Sequence, residues 1–228
     1  MNVGKEIASH FMTLKYEFNG NRLINRSLLP VKWVMTAQLT AVQYDEKFDV
    51  EKANLAYNKL LYWLDYATSD VVCLEGGDEI ALDIALSIDN TMMFYPSEPD
   101  DGTMAEMLHA KMSAILKDDL YVGDVTVSGE DSLASYTFSL QKGGYTLPKK
   151  TDAYMEVEVA HDIPWWFRSD GYVSEFFMAE GIDEAELLVQ IAENDPLMYF
   201  DELIKEQKKK EKGPAKIIEV DKWHPRKV

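Results

Sequence analysis

The chain has 228 residues, enough for one large or two small domains, and its 46% of hydrophobic residues supplies a substantial core. Its net charge of -17 falls mainly on residues 61 to 140, which carry 2 basic and 16 acidic side chains. Such a surface repels phosphate backbones, so we expect no direct binding of nucleic acid, and without a long apolar run we expect no membrane association. The single cysteine, Cys73, excludes an internal disulfide framework and predicts a cytoplasmic protein.

Two strands are predicted near the start of the chain. Apolar and polar residues alternate from Met12 to Phe18, which is the pattern of a strand with one buried face, and Asn19-Gly20-Asn21 is typical of a turn. A second alternation runs from Met35 to Ala41. We expect the two strands to pair antiparallel through a connection of about a dozen residues.

An amphipathic helix follows from Val50 to about Ala67, with Asp49 as its N-terminal cap, because apolar residues recur at spacings of three and four. The pattern between residues 71 and 95 does not decide between helix and strand. The reading that we favour is a short strand, a glycine break, a short helix and an extended segment: Val71 to Leu74, Gly76-Gly77, Ile80 to Ile88 and Thr91 to Tyr95.

A second long helix is predicted after residue 102, where Thr103 and Glu106 have the spacing of a capping box. Core packing is the favoured use of its apolar stripe, although a methionine stripe could also bind a ligand or a partner. The stripe consists of Met104, Met107, Leu108, Met112 and Ile115.

The predicted sheet resumes after this helix. Tyr121, Val125 and Val127 are expected to face one way, the segment 129–132 turns the chain, and residues 136–140 alternate as a further strand. Together these elements predict an α+β fold, an antiparallel sheet with two helices in the order ββααββ.

The C-terminal part adds a strand and helices. Residues 155–159 alternate as a strand, and Asp183 with Glu186 caps a helix to about Ala192. Asp195-Pro196 begins a further helix, since proline is tolerated at the first helical position. We predict an α+β domain over residues 1–148, a packed extension over 149–212 and a basic tail over 213–228, which is either frayed or docked on a neighbouring subunit.

The core pattern resembles the T-fold of the 6-pyruvoyltetrahydropterin synthase type over roughly residues 10 to 140. The residues that carry the likeness are Phe48-Asp49 before the first helix, Ala105-Glu106 opening the second, and Val125 to Glu130 leading to Ser135-Tyr136. The resemblance implies subunits joined edge to edge into a barrel, with pockets at their interfaces. It also implies that Glu130 anchors a purine or pterin ring, a task that suits a carboxylate because it accepts two parallel N–H bonds; a turn residue is the alternative.

The chain departs from that family in its zinc ligands. Enzymes of the family bind zinc through three histidines, including a His-x-His pair on the second strand, where this chain reads Thr36-Ala37-Gln38-Leu39-Thr40. Only His10 could occupy a ligand position, and Cys73 lies away from the place of the family's nucleophile. We therefore expect no metal site and no cofactor.

Other candidates for chemistry are weak. Cys73 lies in an apolar run that raises the pKa of its thiol, and His109 is expected in or near the core rather than acting as a base. His161-Asp162 could pair for acid–base work only if both pointed the same way. Two acidic clusters have oxygen ligands that calcium or magnesium prefers but not the spacing of an EF-hand, and solvated loops are the favoured reading: Asp78, Glu79 and Asp83, and Glu98, Asp100 and Asp101.

Three functions remain open. The leading hypothesis is a non-catalytic acidic binding or assembly protein that forms a homo-oligomer, with another protein as a second candidate partner. The first alternative is an enzyme or sequestering protein for a purine- or pterin-like molecule, and the second is an acidic inhibitor that mimics nucleic acid toward a basic partner. Aromatic residues predict partner contact at Trp165, Trp166, Phe167 and Trp223, with internal core as the alternative for the first three.

Overall fold

The computed structural model describes residues 11–41, 49–88, 90–117, 119–139, 164–173 and 193–211. Within these ranges the chain forms one mixed six-stranded sheet and four α-helices, so the predicted α+β class is confirmed. The elements are β1 (Phe11–Ile24), β2 (Ser27–Ala41), α1 (Val50–Ala67), β3 (Val71–Glu75), α2 (Glu79–Leu86), β4 (Met92–Tyr95), α3 (Asp101–Leu116), β5 (Leu120–Gly129), β6 (Tyr136–Phe138), a 3-10 helix (Trp165–Phe167) and α4 (Pro196–Glu211).

The strands lie in the order β4-β3-β1-β2-β5-β6. β3 runs parallel to β1 and to β4, whereas β1–β2, β2–β5 and β5–β6 are antiparallel. The prediction of a wholly antiparallel sheet is therefore wrong. α2 carries the chain back across the sheet and so delivers β4 parallel to its predecessor β3. β3 runs opposite to its predecessor β2, and it is parallel to β1 because it pairs on the far side of β1, which is itself antiparallel to β2. The order ββααββ is not confirmed, since β3, α2 and β4 lie between the two long helices.

The β1–β2 hairpin is longer than the sequence predicts. β1 continues through Asn19-Gly20-Asn21, and the chain turns only at Asn25 and Arg26, which have φ of 50° and 63°. Positive φ at both central residues is typical of the two-residue turn that matches strand twist. Gly20 serves close approach, because a Cβ there would lie 2.5 Å from the carbonyl oxygen of Val71 on β3.

The two long helices begin with aspartate caps. α1 spans the predicted residues, and the Asp49 side chain accepts a hydrogen bond from the amide of Lys52 at 3.0 Å, as expected of an N-terminal cap. α3 begins before the predicted capping box. Asp100 is its cap and accepts from the amide of Thr103 at 2.7 Å, so Thr103 occupies the third helical position instead of the cap.

A β-bulge changes the orientation of the first half of β5. Ala37 on β2 pairs with Val125, but Leu39 pairs with Val122, so β5 contains one extra residue between the two pairs. The prediction that Tyr121 shares a face with Val125 and Val127 is consequently wrong. Tyr121 is 49% exposed, while Val122 lies in the core.

The core centres on α3, which contacts β4, β5, β6, α1 and the 3-10 helix. The whole predicted stripe of α3 is buried. α4 packs on α1, with the rings of Tyr62 and Phe200 5.6 Å apart, and it begins at Pro196 as predicted. The predicted strand 155–159, the helix after Asp183, the boundary near residue 148 and the basic tail lie outside the described residues.

Candidate functional site

An open cleft of about 420 Å³ lies at the tip of the β1–β2 hairpin, which is within the usual size range of ligand pockets. The hairpin forms one wall, the start of α2 forms another, and the loop after β4 completes it. We call it the tip cleft. Its lining consists of Leu23, Ile24, Asn25 and Arg26, then Glu75, Asp78 and Ala81, and finally Glu98 and Pro99.

The parallel half of the sheet explains why these residues meet. β3 and β4 run in the same direction, so the loops that follow them leave the sheet at one edge, where open α/β sheets generally bind ligands. Glu75 is the last residue of β3, and Gly77, with φ of 88°, turns the chain toward α2. Asp78 then caps α2 by accepting hydrogen bonds from the amides of Ile80 and Ala81 at 3.1 and 3.0 Å.

The cleft combines three exposed carboxylates with one guanidinium. Glu75, Asp78 and Glu98 are exposed, and Arg26 is the only basic residue of the lining. Among the described residues no group of three His, Cys, Asp or Glu side chains could hold a metal ion, so these carboxylates do not converge on one point. Carboxylates spread around a cleft of this size suit an extended organic cation, to which each can accept a charge-assisted hydrogen bond.

Arg26 occupies its position at a backbone cost. A residue with a Cβ is disfavoured in the left-handed region by roughly 1–2 kcal/mol, and glycine is the usual second residue of such a turn. Residues in sparsely populated backbone regions cluster at binding sites. The strained turn places the guanidinium at the rim of an otherwise acidic cleft.

A smaller cleft of about 270 Å³ lies beside the C-terminal end of α1. The Tyr16 hydroxyl donates a hydrogen bond to the Asp65 carboxylate at 2.5 Å, and burial, with this hydrogen bond, raises the pKa of Tyr16 to about 12. The phenol therefore keeps its proton at neutral pH and donates it in the hydrogen bond to the Asp65 carboxylate. The lining comprises Tyr16, Glu17, Phe18, Asn19, Asp65, Thr68, Ser69 and Asp70.

Asp101, at the start of α3, is the centre of a buried polar network. One carboxylate oxygen accepts from Arg22 Nη2 at 2.5 Å and from Trp33 Nε1 at 3.3 Å. The other accepts from the Gly129 amide at 2.9 Å and the Ser132 hydroxyl at 2.5 Å. Burial acts to raise the pKa of Asp101, but these hydrogen bonds and the Arg22 charge together hold the pKa below its usual range. Every contact of this carboxylate ties strands and loop to the helix.

Lys111 is fully buried on α3 and holds the segment 164–173 by hydrogen bonds. Its ammonium donates to the carbonyl oxygens of Trp165 at 3.0 Å, Arg168 at 3.1 Å and Tyr172 at 2.9 Å. Burial lowers the pKa of Lys111 to about 7, and the Asp170 carboxylate, 3.5 Å away, opposes that shift. Three acceptors match the three N–H bonds of an ammonium, so the group is a structural clamp rather than a base aimed at a substrate.

Asp195 links the segment 164–173 to α4 by hydrogen bonds. Its carboxylate accepts from the amides of Gly171 at 2.8 Å and Leu197 at 2.9 Å. Burial raises its pKa, although these hydrogen bonds act in the other direction. Gly171 allows this contact, because a Cβ there would lie 2.5 Å from the Asp195 carboxylate.

Cys73 and His109 are internal, as the sequence predicts. Burial raises the pKa of the Cys73 thiol to about 12, and its sulfur lies 3.8 Å from the Tyr95 hydroxyl. His109 is buried against Phe138, with ring centroids 5.0 Å apart, and burial lowers the pKa of its imidazole. Neither group reaches the tip cleft lining.

Glu130 lies at the turn after β5. Its side chain is exposed, and its amide donates to the carbonyl oxygen of Lys32 at 2.8 Å. It does not line the tip cleft or the smaller cleft. An interface pocket needs a second subunit, so its role as a ring anchor stays a prediction.

The aromatic residues predicted to contact a partner divide into two groups. Trp165 and Trp166 are fully buried inside the chain, and Trp165 Nε1 donates to the carbonyl oxygen of Phe94 at 2.6 Å. Phe167 is partly buried against the same core. Trp223 lies outside the described residues. Trp165 and Trp166 therefore lie in the internal core, which was the alternative to partner contact.

Sequence reasoning missed the tip cleft because it assigned its acidic residues to two separate loops. The structure brings Asp78 from one predicted cluster and Glu98 from the other into the same lining, while Asp101 is buried in the core. One signal in the sequence could have located the cleft. Asn25-Arg26 lies between two alternating runs, which indicates a turn at these residues, at the rim of the cleft, and not at Asn19-Gly20-Asn21.

No protein-family model matches the chain, and no curated protein matches it at a significant level. Among the described residues, no helix has the length and apolar character needed to cross a membrane.

Proposed function

We propose that this chain is a non-catalytic acidic binding protein whose tip cleft receives a cationic side chain, lysine or arginine, of a protein partner. The observation that carries the proposal is the arrangement of Glu75, Asp78 and Glu98 around one open cleft. The Arg26 guanidinium adds selectivity, because it favours a partner that places an acidic group or a carbonyl beside its cation.

The charge of the surrounding surface supports this choice of ligand. Residues 61 to 140 contain only two basic side chains, Lys111 and Lys117, and Lys111 is buried in the clamp. The burial of Lys111 is matched by that of Asp101, so the remaining side chains of this stretch keep an acidic excess of 14, with 15 acidic residues and 1 basic residue. A field of one sign concentrates opposite charges around a cleft and raises their association rate.

The state of the buried titratable groups supports a binding role rather than catalysis. Asp101, Lys111 and Asp195 each direct their hydrogen bonds to other groups inside the fold. The Cys73 thiol and the Tyr16 phenol stay protonated at neutral pH, and burial raises the pKa of both further. These groups stabilise the fold and leave the cleft carboxylates to meet a ligand.

The test uses a synthetic peptide of alternating arginine and glycine, titrated into the full chain by isothermal calorimetry, with a peptide of alternating glutamate and glycine as the reference. We expect binding of the basic peptide that weakens between about 50 mM and about 500 mM salt. Neutralising the cleft by Glu75→Gln with Glu98→Gln should weaken it about tenfold, which corresponds to about 1.4 kcal/mol.

The matched control removes the same charge elsewhere, by Glu51→Gln with Glu193→Gln, two exposed acidic residues outside the cleft. It should change the affinity by less than about threefold, because exposed charges farther away than a Debye length are screened. Equal losses in the two double variants would show that only the overall charge attracts the peptide, and the cleft proposal would then be wrong.

A further inference from the structure

The outward face of α4 combines exposed apolar residues with exposed charges of both signs. Leu197 and Phe200 are buried toward α1, whereas Tyr199 and Leu203 remain 51% and 49% exposed. They are four residues apart, so they lie above one another on one side of the helix. Met198, also exposed, flanks them.

Charged residues lie on the same side of the helix, C-terminal to Tyr199. At 3.6 residues per turn, Glu202 and Glu206 lie on the outward face near Tyr199, and Lys209 and Lys210 follow at the C-terminal end. All four side chains are exposed. Lys205, also exposed, lies between the two glutamates, so the face begins apolar, alternates in sign and ends basic.

This arrangement is complementary to a second copy of itself. Two α4 helices packed antiparallel with Glu202 opposite Lys209 also bring Lys205 opposite Glu206, whereas a parallel pair places like charges together. A contact that is satisfied by the same patch on both partners closes as a two-fold dimer. We propose that α4 is a self-docking surface through which two copies of this chain associate antiparallel.

The expected association is modest and salt-dependent. A helix of 16 residues is about 24 Å long, so the contact is smaller than a standard protein interface. Its energy comes from the charge pairs, because the register that places Glu202 opposite Lys209 places Leu203 opposite Lys208 and not opposite Tyr199 of the other copy. Sedimentation equilibrium of the full chain should show a monomer–dimer equilibrium at about 50 mM salt. The dissociation constant should rise about tenfold or more at about 500 mM salt.

Charge reversal gives the sharper test. Lys209→Glu with Lys210→Glu should weaken self-association about tenfold or more, and Glu202→Lys with Glu206→Lys should do the same. An equimolar mixture of the two double variants should associate again, because each supplies the charge that the other lacks. All six substituted and apolar positions are exposed, so circular dichroism should show an unchanged helix content.

Lys15→Glu with Lys117→Glu is the control, because it changes the net charge as much as the lysine reversal on α4 but lies on β1 and after α3, at exposed positions. It should leave self-association within about threefold of the unsubstituted chain. A monomer at all concentrations, or two reversals that do not restore association when mixed, would overturn the proposal and leave this face to another partner or to the solvent. The α4 variants retain the tip cleft, so basic-peptide binding reports on the proposed function separately.

Discussion

The charged groups around α3 and those of the tip cleft differ in how their hydrogen bonds are used. Asp101 and Lys111 are buried and bind partners from distant parts of the chain, and each contact joins two elements. Glu75 and Glu98 are exposed at an open edge of the sheet. Charged groups in this protein therefore have two separate roles: internal ones hold elements together, and surface ones attract a partner. Substitutions of the internal groups should lower stability, whereas substitutions of the surface groups should not.

The largest expected effect is the loss of Asp101. Asp101→Ala leaves the Arg22 guanidinium buried beside an empty space, and removing one partner of a buried ion pair typically costs about 3–5 kcal/mol. Urea denaturation should show this decrease in the free energy of unfolding. Asp131→Ala is the control, because Asp131 is 44% exposed and contacts Arg22 at 3.4 Å, so it should cost less than about 1 kcal/mol. Equal costs would contradict the central role of Asp101.

Lys111→Met should cost about 3 kcal/mol, because three buried carbonyl oxygens lose their donor while the apolar stem is preserved. The substitution should also make the segment 164–173 more susceptible to proteolysis, since the clamp holds it on α3. Lys117→Met, at an exposed position, should change stability by less than about 0.5 kcal/mol. Unchanged proteolysis in Lys111→Met would contradict the clamp.

Acid should weaken the Asp101 network. The pKa of Asp101 is lower in the folded chain than in the unfolded chain, so the unfolded chain binds more protons near pH 4 and stability rises with pH there. The stabilisation is present above the unfolded pKa and is lost as the pH falls through the folded pKa. Denaturation of the unsubstituted chain and of Asp101→Asn between about pH 5 and about pH 2 should show the steeper loss in the former. Parallel pH profiles would argue against the assignment.

Arg26→Gly has the smallest expected effect, and its sign is opposite. Glycine relieves the left-handed backbone strain but increases the entropy of the unfolded chain, which leaves a gain of about 0.5 kcal/mol. Arg26→Lys keeps both the strain and the charge, so its stability should be unchanged. A thermal scan of the three chains measures the differences. A destabilised Arg26→Gly chain would show that the guanidinium has a structural role at the hairpin tip.

Periodicity predicted α1 and the apolar stripe of α3, although α3 is buried on most of its sides. The bounds of α1, the cap Asp49 and the whole buried stripe of α3 follow from spacings that local sequence determines. The direction of β3 does not, because a short apolar run is compatible with parallel or antiparallel pairing. Gly20 misled the prediction for a similar reason: the close approach to Val71 that requires glycine involves a residue 51 positions away.

The candidate site was harder to predict than the fold. Asp78 and Glu98 carry no mark that distinguishes them from other solvated acidic residues, and only the parallel pairing of β3 and β4 brings them together. Lys111 did carry a mark, since it falls seven residues after Met104 on the buried stripe. A lysine at such a position indicates an internal clamp, but the carbonyl groups that satisfy it depend on tertiary packing.

The clamp also has a consequence for biosynthesis. Lys111 finds its acceptors 54 to 61 positions later in the chain. At a translation rate of roughly 5–20 residues per second, about 3–12 s pass between the synthesis of Lys111 and the synthesis of the residues that bind it. During that interval the Lys111 ammonium lacks its three carbonyl acceptors. α3 therefore cannot reach its final packing, and the core is completed late in synthesis.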